Sequence, residues 1–192
     1  MSMFTFDISS VQSALINIKP GLEKYQYIMG MLHKSDLSKD IEFQRKYKGF
    51  YRVRRNDEFC QIYFEYMEQH KKDIVAFDDV ISHIYKETNR YEASFSSKLL
   101  ATINPDMPVW DSLVLEQLSL TASLYSKKGR LPKTIFLYKE IVSWYANFLE
   151  TQNADDIICI FDELYPDSNL TSVKKIDFVL WGLGKEAKNK QA

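Results

Sequence analysis

Phosphate recognition is the first chemistry that the residue types suggest. From Gln44 to Arg55 there are six basic side chains, Arg45, Lys46, Lys48, Arg52, Arg54 and Arg55, and no acid. Three of the chain's six arginines, Arg52, Arg54 and Arg55, fall within four positions, and a planar guanidinium fork suits phosphate. Tyr47, Phe50 and Tyr51 are interleaved with these charges, so the stretch could track a phosphate backbone while a ring stacks or wedges. The other reading is a solvated loop, or a patch that pairs with the acidic stretch Glu140–Val173, which holds seven acids and no base. Net charge is −1, yet screening within about 8 Å lets a neutral total hide a local positive surface.

Other chemistries find less support. His33, His70 and His83 lack the spacing of a metal-binding helix, so no metal site is expected. Cys60 and Cys159 are too few for a disulfide framework. Asp78-Asp79 and Asp155-Asp156 are adjacent, so on a helix their side chains diverge by ~100° and read as solvated helix-start acids. No glycine lies between Gly49 and Gly129, which excludes a phosphate-cradling glycine loop there. Ser96-Ser97 lacks a nucleophile elbow. No small-molecule cofactor is indicated.

The elements that must position these groups read as helix after helix. Asp57–Lys71 sets Phe59, Ile62, Tyr63, Tyr66 and Met67 on one face, and Ile74–Lys86 does the same with Phe77, Val80, Ile81, Ile84 and Tyr85. The clearest case is Pro132–Glu150, opened by a proline that suits a first turn. Shorter candidates are Ser10–Ile18, Leu22–His33, Ser38–Lys46, Glu92–Ile103, Ser112–Tyr125, Asp155–Tyr165 and Val173–Leu183. Strand patterning is confined to a brief alternation over Phe50–Arg55. With 192 residues, 45% of them hydrophobic, the chain fits one domain with a real core. The expected fold is a single all-α unit of about ten helices spanning residues 1–192, in one body or two lobes around a cleft. Lys185–Ala192 is expected to be a frayed polar tail. The start of the chain has no leader pattern and the longest apolar run is far short of the ~20 residues of a membrane helix. A cytoplasmic protein with free thiols is expected.

Between Glu92 and Leu118 lies a segment with internal logic. A helix bears Lys98, a turn follows at Asn104-Pro105-Asp106-Met107-Pro108, and Val109-Trp110-Asp111 opens the next helix. By residue type alone, Lys98 lies beside the stripe Phe95, Leu99 and Ile103, a common place for a solvated lysine. Asp111 immediately precedes Ser112–Leu118 and reads as an N-cap.

This segment resembles the helix-hairpin-helix DNA glycosylases, most closely their 8-oxoguanine branch. Ser94-Phe95-Ser96-Ser97-Lys98 stands where that family has Gly-hydrophobic-Gly-x-Lys, and Pro108-Val109-Trp110-Asp111 stands where it has Pro-Val-Asp. About 30 of the 192 residues carry the likeness. It implies that Lys98 is a Schiff-base nucleophile attacking a sugar C1′ after base flipping, and that Asp111 stabilises the developing positive charge and assists proton transfer. It implies double-stranded DNA as partner, with Ser94 and Ser96 on a phosphate in place of the family's glycines, and Arg52, Arg54, Arg55 and Lys48 as further backbone contacts. The aromatic surplus could line a pocket for a flipped base, with Trp110 nearest. Two other readings stay open: a non-enzymatic helical interaction protein, self-associating as a homodimer or binding a partner, and a glycosylase-like fold without catalysis.

Overall fold

Helices begin in this chain where a short polar side chain stands just ahead of an apolar period. In the computed structural model, which describes residues 5–118, 120 and 129–189, Asp7, Asp40, Asn56, Asp111 and Thr151 each accept a hydrogen bond from a first-turn backbone N–H. Those caps satisfy amides that have no partner inside the helix. Ten helices result among the described residues: α1 (Ile8–Ile16), α2 (Lys19–Met31), α3 (Ile41–Tyr51), α4 (Asp57–His70), α5 (Phe77–Thr88), α6 (Ala93–Ile103), α7 (Ser112–Gln117), α8 (Arg130–Leu149), α9 (Gln152–Leu164) and α10 (Ser172–Asn189). They form one all-helical globular unit, and no strand occurs among the described residues. No described helix is long and apolar enough to cross a membrane.

Most helix boundaries lie within three residues of the sequence expectation, and three helices differ by more. α3 starts at its Asp40 cap rather than at Ser38, and runs on to Tyr51, drawing much of the basic stretch into a helix. It stops because Arg52 takes a left-handed conformation (φ 54°), after which Val53–Asn56 leads to α4. α7 is described only to Gln117; residues 121–125 of the expected helix lie outside the described residues. α10 continues to Asn189, where a frayed tail from Lys185 was expected; residues 190–192 lie outside the described part.

Aromatic rings fill the interior. Tyr25, Tyr47, Tyr63, Tyr138 and Tyr145 are all but sealed from solvent, and their hydroxyls tie helices together. Tyr63 donates to the Phe95 carbonyl (2.8 Å) and shares a hydrogen bond with Tyr47, while Tyr138 donates to the Pro108 carbonyl (2.9 Å). Phe77 stacks on Tyr138 with centroids 3.9 Å apart. Buried hydroxyls need such partners, and the pairs add specificity to apolar burial.

α10 closes the unit, packing chiefly on α7 and α1. Glycine makes that approach possible. A Cβ on Gly184 would sit 2.8 Å from the Leu113 Cβ, and one on Gly182 would sit 3.2 Å from the Ala14 Cβ. A side chain at 184 could not come that close and one at 182 would force Ala14 to give, so these two glycines let α10 press against both neighbours.

Candidate functional site

The segment singled out in the sequence folds as a helix, a turn and a second helix held together by side chains. Ser97 is fully buried in α6; its Oγ donates to the Ser94 carbonyl and accepts from the Trp110 N–H, both at 2.9 Å. Tyr138 anchors the same turn through Pro108. These bonds bring Asp111 back beside α6, where its Oδ2 lies 3.6 Å from the Lys98 Nζ. The other oxygen, Oδ1, accepts from the Leu113 N–H at 3.0 Å and caps α7. The cap and the ion pair therefore coexist on one carboxylate.

Lys98 is not a solvated lysine. α6 is buried on nearly every side, and Lys98 is only 7% exposed. Its amine reaches the Tyr51 carbonyl at a long 3.4 Å and lies 5.6 Å from the centroid of Phe95. Burial pushes the amine below its ordinary pKa, Asp111 pulls the other way, and the positive charge of Arg52 adds to the fall. Desolvation penalises the ammonium form, so a larger share of the amine carries a free lone pair near neutrality than on a surface lysine.

Lys98 and Asp111 line a cleft of about 700 Å³ between α2, α3, α6, α7 and α10, within the size of small-ligand sites. Sequence reasoning missed most of its walls. α10 contributes Lys174, Asp177, Phe178, Trp181, Lys185 and Lys188, a recurrence of three and four residues that marks one helical face. α2 adds Lys24 and the end of α3 adds Phe50, Tyr51 and Arg52. The signal was available in Lys174, Asp177, Lys185 and Lys188, with Trp181 among them, as residues recurring along one face of the helix, but nothing local says which cavity that face meets.

A second lysine–aspartate pair sits in this wall. Lys174 Nζ lies 2.7 Å from Asp177 Oδ2, Tyr145 donates to Oδ1 of the same carboxylate, and the ring of Tyr25 lies 5.3 Å from the amine. Both charged residues are buried. Burial alone would lower the Lys174 pKa, but Asp177, with Tyr51 and Tyr25, raises it well above its ordinary value. The amine stays an ammonium.

The other expected contacts are dispersed. Arg52 reaches the cleft. Arg55 does not: its Nε and Nη2 pair with Glu92 at 2.9 and 3.0 Å, and its guanidinium covers Phe95. Lys48 and Arg54 lie outside the cleft wall. Ser96 is sealed in the core with its hydroxyl unpartnered, and Ser94 belongs to the first turn of α6. The expected phosphate-binding hairpin is therefore a helix start, because this stretch lacks the glycines that would favour a tight turn. Trp110 is buried in the core rather than in the cleft. Ion pairs of the basic stretch run to Glu42 and Glu92, outside the acidic stretch. Among the described residues no cluster of His, Cys, Asp or Glu could hold a metal ion. No family model, curated protein or solved structure matches the chain.

Proposed function

We propose that the chain is a base-excision enzyme of the glycosylase type, acting on DNA through an amine nucleophile. The observation that carries this reading is the Lys98–Asp111 pair: a buried amine biased toward its neutral form, 3.6 Å from a carboxylate, in the wall of a cleft with a cationic rim. The Lys98 lone pair forms a bond to the sugar C1′ while the N-glycosidic electrons leave with the base. The surplus amine proton passes to Asp111 or onward to the departing base, and opening of the sugar ring leaves an iminium between Lys98 and C1′. Beside the buried amine, the Asp111 charge favours the cationic sugar in the transition state over the neutral ground state.

Borohydride reduces such an iminium to a stable secondary amine, which gives the test. Duplexes bearing an abasic site or 8-oxoguanine are incubated with the parent protein and with Lys98→Gln in the presence of borohydride. A covalent adduct formed by the parent and lost in Lys98→Gln is the expected result. Equal trapping by both proteins, or none by either, overturns the lysine mechanism. DNA binding without trapping would favour the catalytically inactive alternative.

A further inference from the structure

The sequence placed the backbone contacts on Ser94, Ser96, Lys48, Arg52, Arg54 and Arg55, but the fold buries Ser96, sets Ser94 in a helix and ties Arg55 to Glu92. Of those residues Arg52 edges the cleft, and the other cations around it come from α2 and α10. Lys24 comes from α2, Arg52 from the left-handed residue that ends α3, and Lys185 and Lys188 from the last turns of α10. All four are exposed. Lys188 faces Glu116 at 3.6 Å across a solvated gap, and Lys185 lies over the Trp181 ring at 5.2 Å. Among the described residues Lys24 and Arg52 meet no carboxylate. The two carboxylates in the cleft wall, Asp111 and Asp177, are already engaged by Lys98 and Lys174. Like charges converging on one concavity repel each other and focus a positive potential into it, so a multiply charged anion gains from all four at once.

We infer that Lys24, Arg52, Lys185 and Lys188 form the phosphate-binding rim of the cleft and hold a nucleic-acid strand across its mouth, between α2 and α10. The four come from three separate elements and edge the cleft that contains Lys98. A strand with successive phosphates can meet several of them, whereas a mononucleotide has one phosphate group to offer. The partner class rests on the reading that this cleft handles DNA; the placement of the rim rests on the fold. Phe50 and Trp181 add ring faces beside these charges, the combination that suits strand binding.

The test is duplex affinity as a function of salt, using a fluorescent duplex with a tetrahydrofuran abasic analogue that cannot react. Lys98→Gln protein is the background, so that binding is separated from chemistry. Four phosphate contacts predict a log–log salt slope of about −3.6, which weakens binding roughly 100-fold between ~50 and ~200 mM salt. Replacing Lys24, Arg52, Lys185 and Lys188 by Gln, singly, is expected to reduce the slope by about one each, and together to remove most of it. Thermal melts check that these exposed changes leave the fold intact. An unchanged slope in the fourfold variant overturns the assignment, as does a slope that falls instead when Lys48 and Arg54 are replaced. So does absence of duplex binding, or equal competition by poly-glutamate or by a mononucleotide. If the rim variants lose binding while the parent never traps, the rim stands and the glycosylase reading falls. If trapping survives the same fourfold change made with Lys98 intact, the glycosylase reading stands and the rim falls.

Discussion

Two lysine–aspartate pairs line the same cleft, and chemistry separates them. Lys174 and Asp177 are three residues apart on one helix, so α10 itself sets them face to face at 2.7 Å. Asp177 gives one oxygen to Lys174 and the other to Tyr145, and the amine is held charged. Lys98 and Asp111 lie on different elements joined by a turn, and meet at 3.6 Å. Asp111 spends its other oxygen on the α7 cap, and its side chain is 28% exposed against 7% for Asp177. Burial is similar for the two amines; what differs is how fully the carboxylate answers the charge. A buried lysine with a close, buried counter-ion is a structural post, and one with a more distant, partly solvated counter-ion is held less firmly in its charged form.

Breaking the structural pair should cost most. Asp177→Ala strands the Lys174 ammonium in the interior and is expected to lower stability by about 3–5 kcal/mol, read by urea denaturation. Lys98→Met should cost far less, because Asp111 stays partly solvated and keeps its cap. Equal losses from the two would abolish the distinction between the pairs.

The next effect concerns the spacing of α10. Gly184→Ala places a methyl against Leu113 and is expected to destabilise by about 1–3 kcal/mol through overpacking. Because the shift moves the α10 wall away from α7, the salt dependence of duplex binding should change as well, whereas an unaltered slope would mean that the rim tolerates the displacement.

Asp111 allows its two duties to be separated. Asp111→Ala removes both and should cost roughly 0.5–2 kcal/mol from the lost cap, plus the cost of leaving the Lys98 ammonium without its counter-ion. Asp111→Asn keeps a capping oxygen, so its cap cost should be no more than a few tenths, and any larger loss reports the removed charge that supports the Lys98 ammonium, at about 1.4 kcal/mol for each unit by which that pKa falls. The Lys98 pKa is then expected to fall further, followed by NMR of the reductively ¹³C-methylated amine. A rise on removing this anion would contradict the ion pair.

The smallest signal is the sharpest comparison, because its sign differs between the pairs. With the folded Lys98 pKa lowered, the unfolded chain binds more protons just below the ordinary lysine value of about 10.4, so stability climbs with pH in that window. With the folded Lys174 pKa raised, its stabilisation is complete below that value and is lost as pH passes above it. Denaturation midpoints of Lys98→Met should lack the rise, and those of Lys174→Met should lack the fall.

The legible and illegible parts of the molecule divide along the range of the interactions. Helices α4, α5 and α8 were readable from apolar stripes such as Phe59, Tyr63 and Tyr66, since periodicity is local and the stripe is what the core buries. The approach of Lys98 to Asp111 was readable only through the motif that joins them. Its depth was not: Phe95, Leu99 and Ile103 suggested a helix half in water, whereas neighbours from α3, α4 and α5 cover the other faces of α6. Trp181, Lys185 and Lys188 were spelled out as a helical stripe, yet facing Lys98 depends on two glycines far along the chain. Arg55 misled because its partner, Glu92, is 37 positions away.

The tight seating of α10 on α1 and α7 has a temporal meaning as well. During synthesis Lys98 and Asp111 leave the ribosome well before Lys174, Trp181 and Lys185 exist, and segments made first begin to fold first. Until α10 docks, the wall of the cleft that carries Lys174, Trp181 and Lys185 is water. The cleft is therefore assembled last: Lys98 and Asp111 can pair early, but the concavity they line exists only once α10 has seated its two glycines on α1 and α7.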